Sequence, residues 1–216
     1  VNILVERMNI QTNVLTSLFT IPPPVLDFTG RETQLAQLKA SFKNGAVIIG
    51  VGGGSGVGKT ELARKLAQEI TDDYPDARMS IDLRGTSENP LTTEEAMRRI
   101  LEPFFPNQRL SDNPEQLKGL YQRTFSTQKA LLLLDNATNA AQVRALIPPA
   151  PSAAIITSRQ HFSLTEFGLS EPLRLDVLSL ENSRELLQRA SPKLKEVSDE
   201  EVGELSRLCG HLPLAL

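Results

Sequence analysis

The sequence has one cysteine, no long apolar run and little net charge, and each of these absences excludes a class of protein. The single cysteine, Cys209, excludes an internal disulfide and fits a reducing compartment. No run of about 18 apolar residues is present, so no transmembrane helix is expected. Glu6, Arg7 and Asn9 interrupt the apolar core that a signal peptide needs. We therefore expect a cytoplasmic protein without membrane contact.

The charge balance also bears on partners. A formal net charge of −3 over 216 residues gives no electrostatic basis for binding nucleic acid or an anionic membrane. We expect no direct nucleic-acid binding by this part of the chain.

A glycine-rich stretch is the most informative feature that is present. Residues 53–60 read Gly-Gly-Ser-Gly-Val-Gly-Lys-Thr and match the phosphate-binding P-loop. The glycines allow a tight turn whose N–H groups point at phosphate oxygens, while Lys59 supplies a positive charge and the Thr60 hydroxyl suits Mg²⁺. An apolar run over 46–51 precedes the loop, and a helix is predicted from Thr60 to Ile70, so a helix N-terminus faces the phosphates. The predicted nucleotide-binding residues of this stretch are Gly53, Gly54, Ser55, Gly56, Val57, Gly58, Lys59, Thr60 and Glu61.

Strand patterns alternate with helix patterns up to about residue 178. Besides 46–51, strands are predicted over 78–83, 130–134, 153–157 and, more weakly, 173–178. Capping boxes are predicted at Thr29–Glu32 and Thr92–Glu95, and Ser198 begins the last helix. This alternation predicts an α/β fold: a parallel five-stranded P-loop NTPase sheet with helices on both faces, followed by the start of a small helical domain.

The expected domain organisation has three parts. Residues 1–24 form an N-terminal segment that ends in a stiff linker, because Pro22–Pro24 break any helix. The first 19 residues fit either a partner-facing amphipathic helix or a remnant packed on the domain. The nucleotide-binding domain spans 25–178, and a truncated helical subdomain spans 179–216.

A second motif, Leu131–Asp135, is an apolar strand that ends in an acid. This is the form in which P-loop proteins deliver a carboxylate to Mg²⁺, so Asp135 is predicted as a metal ligand together with Thr60. The alternative role for Asp135 is the N-cap of the helix that follows. Asn136 stands where many hydrolytic P-loop ATPases carry a second acid, and an amide cannot accept the proton of the attacking water, so slow hydrolysis is expected. Asp82 is either a general-base candidate or a solvated strand end.

The predicted fourth strand ends in Thr157-Ser158-Arg159. Its hydroxyls and guanidinium could contact the γ phosphate, with Arg159 as the sensing residue. The alternative is a surface arginine after a strand.

Seven short motifs, taken in order, resemble the NB-ARC domain of the STAND class of P-loop ATPases, and especially the bacterial branch found in antibiotic-pathway transcriptional regulators. The resemblance covers roughly residues 25–216. The motifs are Phe28–Glu32, the P-loop, Ile81–Gly85, Leu132–Ala137, Gln142–Arg144, Ile156–Arg159 and Leu212–Leu216.

The resemblance implies where the base of the nucleotide binds. It places Arg31, with Phe28 and Thr29, beside adenine, and it packs Pro213 near the base. It further implies that ADP closes the domains together, that exchange for ATP opens them, and that sensor or effector domains and self-association belong to the full-length protein. His211 stands where the family usually has glycine, so the turn there is expected to differ.

We therefore expect a nucleotide-dependent signalling switch that binds ATP or ADP with Mg²⁺ and has weak ATPase activity, in which Lys59, Asp135 and Arg159 act on the phosphates. One alternative is a nucleotide-binding scaffold without turnover, which Asn136 would favour. Another is a small-molecule P-loop kinase, whose lid arginines would have to be Arg98, Arg99 or Arg109.

Overall fold

The structure is a computed structural model. It describes residues 18–42, 47–50, 55–160, 162, 165 and 172–216, with 47–50 described by their backbone alone. Most of the predicted N-terminal segment, and Gly53 and Gly54 of the P-loop, lie outside the described residues.

A parallel sheet forms the centre of the described chain. Its strands are β1 (Val47–Gly50), β2 (Ala77–Asp82), β3 (Ala130–Ala137) and β4 (Ala153–Ser158). They are hydrogen-bonded in the order β1-β4-β3-β2, and every pair is parallel. Because the register pairs Asp82 with Asp135, the carboxyl ends of β2 and β3 meet at the same sheet edge.

Helices connect and follow the strands. They are α1 (Glu32–Phe42), α2 (Lys59–Glu69), α3 (Thr93–Leu101), α4 (Pro114–Thr127), α5 (Ala140–Arg144), α6 (Leu180–Ala190) and α7 (Asp199–Leu208). Short 3₁₀ turns lie at Thr71–Asp73, Glu102–Phe104 and Pro192–Glu196.

The predicted placement of helices on both faces of the sheet is confirmed. Strand β3 is buried throughout residues 130–134, and its side chains alternate between two cores. Leu131 and Leu133 pack with residues of α1 and α2, whereas Leu132 and Leu134 pack with residues of α3 and α4. An apolar run without polar interruptions is what a parallel strand covered on both faces requires.

Two of the predicted helix starts are confirmed and one is wrong. The Thr92–Glu95 capping box is present in both directions, and the Ser198 hydroxyl accepts from the N–H of Glu201. At α1, however, the Thr29 hydroxyl has no hydrogen-bond partner among the described residues, and the Glu32 carboxylate accepts from the N–H of Gly30 at 3.2 Å. Helix α1 therefore starts without the predicted capping box, and the Thr29 hydroxyl does not act as its N-cap.

The predicted fifth strand is wrong, since residues 172–179 form neither helix nor strand. Leu175 is buried as the alternation requires, but Val177, which a strand would place on the same side, is 45% exposed, and Leu178 is buried instead. The backbone groups, however, bond elsewhere: the carbonyl of Asp176 accepts from Arg31, and the N–H of Leu178 donates to the carbonyl of His211 at 3.0 Å. A strand needs a neighbouring strand for these groups, and here a side chain and a turn take them instead.

Beyond residue 180 the described elements are helical, and α6 packs against α7. Val202 of α7 is buried, whereas Leu205 and Leu208 are 38% and 80% exposed. The domain boundaries near 24 and 178 stay predictions. Among the described residues, no helix is long and apolar enough to cross a membrane.

Candidate functional site

A cavity of about 510 Å³ opens beside the carboxyl ends of β3 and β4 and the start of α2. Its walls come from the segment before α1, the P-loop, the strand ends and the last residues of the chain. The predicted site residues that line it are Phe28, Thr29, Arg31, Ser55, Gly56, Val57, Gly58, Lys59, Thr60, Glu61, Asp135, Arg159 and Pro213. The structure thus brings together every described residue predicted to contact nucleotide or metal.

The described part of the P-loop has the backbone that its glycines predict. Gly56 and Gly58 have φ angles of 88° and 92°, in the left-handed region that side chains disfavour. Gly58 is the N-cap of α2, and among the described residues no side chain caps that helix end. A helix N-terminus favours an anion, and this one faces the cavity.

Lys59 is the first residue of α2 and lies at the cavity wall. Burial lowers the pKa of its ammonium group, and the nearby positive charge of Arg159 lowers it further, while Asp135 acts in the opposite direction. Two cations held near each other in this way favour an anion between them. Lys59 and Arg159 therefore form the electropositive end of the cavity.

Thr60 and Asp135, the two predicted metal ligands, are in direct contact. The Thr60 hydroxyl donates to the two carboxylate oxygens of Asp135 at 2.9 and 3.2 Å. A hydroxyl and a carboxylate are the ligands that Mg²⁺ takes from P-loop proteins, with phosphate oxygens and water completing the shell. The oxygen donors here fit that ion. In the described chain no group of three or more His, Cys, Asp or Glu side chains could hold a metal, so Thr60 and Asp135 would depend on a phosphate ligand.

Thr157 holds Asp135 from the side. Its buried hydroxyl donates to one oxygen of the Asp135 carboxylate and accepts from the N–H of Asn136 at 2.9 Å. The Ser158 hydroxyl is also buried and donates to the carbonyl of Ala137 at 2.8 Å. These hydroxyls organise the end of β3, whereas the sequence suggested that they would contact phosphate.

A β-bulge lies at the end of β3. The register pairs Leu134 with Ile156 and then Ala137 with Ser158, so two residues of β3 oppose Thr157 alone. The second of these two residues, Asn136, has a φ angle of 56°. A bulge re-aims side chains at a strand end, and here it places both Asp135 and Asn136 on the cavity wall.

Asp82 reaches the same cavity from β2 and contacts Asn136. Its carboxylate accepts from the N–H of Arg84 at 2.8 Å and from the side-chain amide of Asn136 at 3.3 Å. The amide oxygen of Asn136 is buried and has no hydrogen-bond partner in the described chain. Asp82 is exposed, as expected of a solvated strand end, and its carboxylate contacts the Asn136 amide rather than Asp135.

Arg31 ties two distant segments to the cavity. Its guanidinium donates to the carbonyls of Val57 at 3.0 Å and Asp176 at 2.6 Å, and the side chain is 6% exposed. Burial lowers the pKa of Arg31, and the nearby charge of Asp176 partly opposes that effect. Because its donors are used by backbone carbonyls, Arg31 shapes the cavity as well as lining it.

The end of the chain closes over the P-loop. The N–H of Leu214 donates to the carbonyl of Gly56 at 3.2 Å, and a Cβ placed on Gly58 would lie 3.8 Å from Cγ of Pro213. The turn before it is held by His211, whose Nδ1 lies 3.0 Å from the Ser183 hydroxyl of α6 and whose φ angle is 55°. His211 thus adopts the left-handed backbone that favours glycine.

Several cavity residues were not predicted from the sequence. Val25, Asp27, Leu178, Leu186 and Leu214 also line it. For Leu214, its position next to Pro213 was an available signal; the others lie in segments without a motif.

Glu61 and the arginines considered for a kinase lid have other contacts. The Glu61 carboxylate accepts from the N–H of Val25 at 3.0 Å and pairs with Arg64, so it also anchors the linker. Of the arginines that a kinase lid would need, Arg98 and Arg109 both contact Asp112, and Arg99 lines a second pocket with Asp82 instead of this cavity.

The fold and this cavity define a P-loop NTPase-like α/β protein. The NB-ARC domain family matches residues 31–195, and the chain belongs to that family. It is 31% identical over 203 residues to the regulatory protein AfsR of Streptomyces griseus, and 29% identical over 208 residues to AfsR of Streptomyces coelicolor. Each match covers 91% of this chain and 21% of the relative, so the chain spans about a fifth of their length.

A solved structure shows the same fold. A STAND signal-transduction ATPase with a tetratricopeptide repeat sensor from Pyrococcus horikoshii superposes with a TM-score of 0.61 at 20% identity, covering 88% of this chain and 29% of that one. Family membership implies a nucleotide-binding signalling module.

Proposed function

We propose that this chain is the nucleotide-dependent switch of a larger signalling protein, that it binds ADP or ATP with Mg²⁺, and that it hydrolyses ATP slowly. The observation that carries the proposal is that the P-loop, Asp135, Arg31 and Pro213, which are far apart in the sequence, line the same cavity.

Each part of the nucleotide has a matching part of the cavity. The N–H groups at the start of α2, with the side chains of Lys59 and Arg159, would hold the phosphates. Thr60 and Asp135 would hold Mg²⁺, which lowers the negative charge that the phosphates bring into the site. The buried Thr29 hydroxyl, which has no partner in the described structure, and Pro213 leave a polar and an apolar surface for the base.

The switching part of the proposal rests on how the cavity is closed. Residues 213–214 reach the P-loop from a turn that His211 fixes to α6, and Arg189 of α6 donates to the carbonyl of Phe28 at 3.5 Å. A ligand shifts such an equilibrium only if it contacts the open and closed arrangements differently. The γ phosphate and its contact with Arg159 would supply that difference between ATP and ADP.

The site assignment is tested by nucleotide binding to wild type and to Lys59→Ala in calorimetry. Losing a charge-assisted contact of about 1.5–3 kcal/mol predicts an affinity about 10- to 150-fold weaker. Lys65→Ala is the matched control, because Lys65 lies on the same helix and outside the cavity. Equal affinities of Lys59→Ala and wild type would contradict the assignment.

A scaffold without turnover is the second candidate, and the amide at Asn136 is the observation that favours it. Single-turnover ATP hydrolysis with and without Mg²⁺ separates the two. Phosphate release that depends on Asp135 would exclude the scaffold.

A further inference from the structure

We propose that His211 is a positioning residue that controls how long the cavity retains a nucleotide, because it joins three segments of the chain that close the cavity. The inference rests on the proposed nucleotide site and concerns the closure of that site, not the chemistry at the phosphates.

Four apolar residues of the cavity, which we call the closing wall, come from three separate segments. Leu178 precedes α6, Leu186 lies on α6, and Pro213 and Leu214 belong to the turn after α7. The side chain of Leu214 is 81% exposed, and its N–H donates to the carbonyl of Gly56 in the P-loop at 3.2 Å. Because an exposed side chain and a backbone hydrogen bond stabilise a contact only weakly, the position of the turn must be fixed by other contacts.

His211 supplies these contacts without lining the cavity itself. Its carbonyl accepts from the N–H of Leu178 at 3.0 Å, and its N–H donates to the carbonyl of Ser206 on α7 at 3.0 Å. Its ring Nδ1 lies 3.0 Å from the hydroxyl oxygen of Ser183 on α6. One residue thus connects the segment before α6, the helix α6 and the turn after α7.

The direction of the hydrogen bond between the ring and Ser183 follows from a neighbouring contact. The Ser183 hydroxyl lies 2.8 Å from the carbonyl of Ser179, which can only accept, so the single hydroxyl hydrogen is used there. Nδ1 of His211 must therefore carry a hydrogen and donate it to the Ser183 oxygen. Ser183 is fully buried, so water does not compete for this bond.

The backbone of His211 shows why the ring matters. Its φ angle of 55° lies in the left-handed region, where a residue with a Cβ is strained and glycine is not. Such strain persists only where the surrounding contacts hold the residue in place. The hydrogen bond from the ring to Ser183 is a contact that glycine at this position would lack.

This arrangement makes the turn difficult to open by itself. If the turn moves away from the P-loop, either the bonds of His211 to Leu178 and Ser183 break or α6 moves with it. Without the ring, only backbone bonds hold the turn, so its local opening requires less free energy and becomes more frequent. A bound nucleotide should then escape faster, while the contacts of Lys59 with the phosphates are unchanged.

The test is the rate at which the fluorescent analogue mant-ADP is released when excess ADP is added, measured by stopped flow. His211→Gly should release it about 2- to 12-fold faster than wild type, which is the effect of losing a neutral hydrogen bond. Glycine also relieves the left-handed backbone, so the midpoint of urea unfolding should change little. A residue with only a general structural role would instead shift the unfolding midpoint together with the release rate.

Further variants assign the effect to the bond between the ring and Ser183. His211→Asn should keep the slow release, because asparagine tolerates the left-handed backbone and its amide N–H can donate to the same hydroxyl. Ser183→Ala should release mant-ADP as fast as His211→Gly, and combining the two changes should give no further increase. Ser206→Ala is the matched control, since its buried hydroxyl also donates within its own helix, to Val202 at 2.9 Å, and does not contact the ring.

The outcomes separate this inference from the proposed function. If wild type binds no ADP, both are overturned. If ADP binds with an affinity that depends on Lys59, the proposed site stands, and three results would each overturn the inference alone. These are a release from His211→Gly as slow as that from wild type, a release from His211→Asn as fast as that from His211→Gly, and equal acceleration by Ser206→Ala and Ser183→Ala.

Discussion

Removing the hydroxyl of Thr157 should both destabilise the chain and weaken its Mg²⁺-dependent nucleotide binding. Thr157 is 1% exposed, and its hydroxyl donates to Asp135 and accepts from the N–H of Asn136. Thr157→Val keeps the shape of the side chain and deletes these two contacts. Thr157→Ser keeps the hydroxyl and deletes one methyl group, so it is the matched control.

The magnitude can be worked from these contacts. A hydrogen bond to a charged carboxylate contributes about 1.5–3 kcal/mol, and a buried N–H left without a partner costs about 1–3 kcal/mol. The buried methyl group that valine has in place of the hydroxyl stabilises the folded state by about 1 kcal/mol. We therefore expect Thr157→Val to lose about 1.5–5 kcal/mol of unfolding free energy, and Thr157→Ser to lose about 1 kcal/mol, the value of one buried methyl.

Equilibrium unfolding in urea, with equal m values, measures the difference between the two variants. Calorimetry of nucleotide binding with and without Mg²⁺ should show that Thr157→Val loses the gain that Mg²⁺ provides, because Asp135 is no longer held. If Thr157→Val is as stable as Thr157→Ser, the hydroxyl does not support the bulge and the reasoning is refuted.

We expect nucleotide affinity to depend on pH, because phosphate binds the protonated ammonium group of Lys59. Burial and the charge of Arg159 hold the pKa of this group below that of an ordinary lysine. The affinity should therefore fall as the pH rises through that lowered pKa. Calorimetry at several pH values should show no such fall for Lys59→Arg, because arginine stays charged. If wild type and Lys59→Arg had the same pH profile, the role given to Lys59 would be contradicted. Gly56→Ala should lose about 1–2 kcal/mol of unfolding free energy from its left-handed backbone alone, and its Cβ would also lie 3.0 Å from that of Leu214. Gly119→Ala, in open space on α4, should instead gain about 0.5–1 kcal/mol in the same urea assay, and equal effects would count against the strain.

The parts of the fold that the sequence predicts well are those that local chemistry determines. The run Ala130–Leu134 can only be a strand covered on both faces, and Thr92 with Glu95 satisfies the first N–H groups of α3 without help from the rest of the chain. Residue type and spacing suffice for such elements.

The errors arise where a distant group decides the outcome. Residues 173–178 have a strand pattern, but their backbone bonds to Arg31 and to the turn at His211, and no short window contains those partners. Thr29 has the sequence of an N-cap, yet Gly30 with a φ angle of 70° turns the chain so that Glu32 bonds to Gly30 instead.

The candidate site shows the same division. Lys59, Thr60 and Asp135 could be selected because motif spacing encodes their chemistry. The bulge at Asn136 could not be predicted, because it depends on the register between β3 and β4 and on the close approach of Gly85. Register is a property of two strands together, so the contact between Asp82 and Asn136 became visible only in three dimensions.

The two carbonyls that Arg31 binds also have a consequence for the order of folding. Val57 is 26 residues away along the chain and Asp176 is 145 residues away. Contacts of such different sequence separation form at different stages, because closing a long loop costs more entropy than closing a short one. A chain still being synthesised could make the first contact once the P-loop had emerged, but the second only when almost the whole domain was available. The wall that Arg31 builds would therefore be completed late in synthesis.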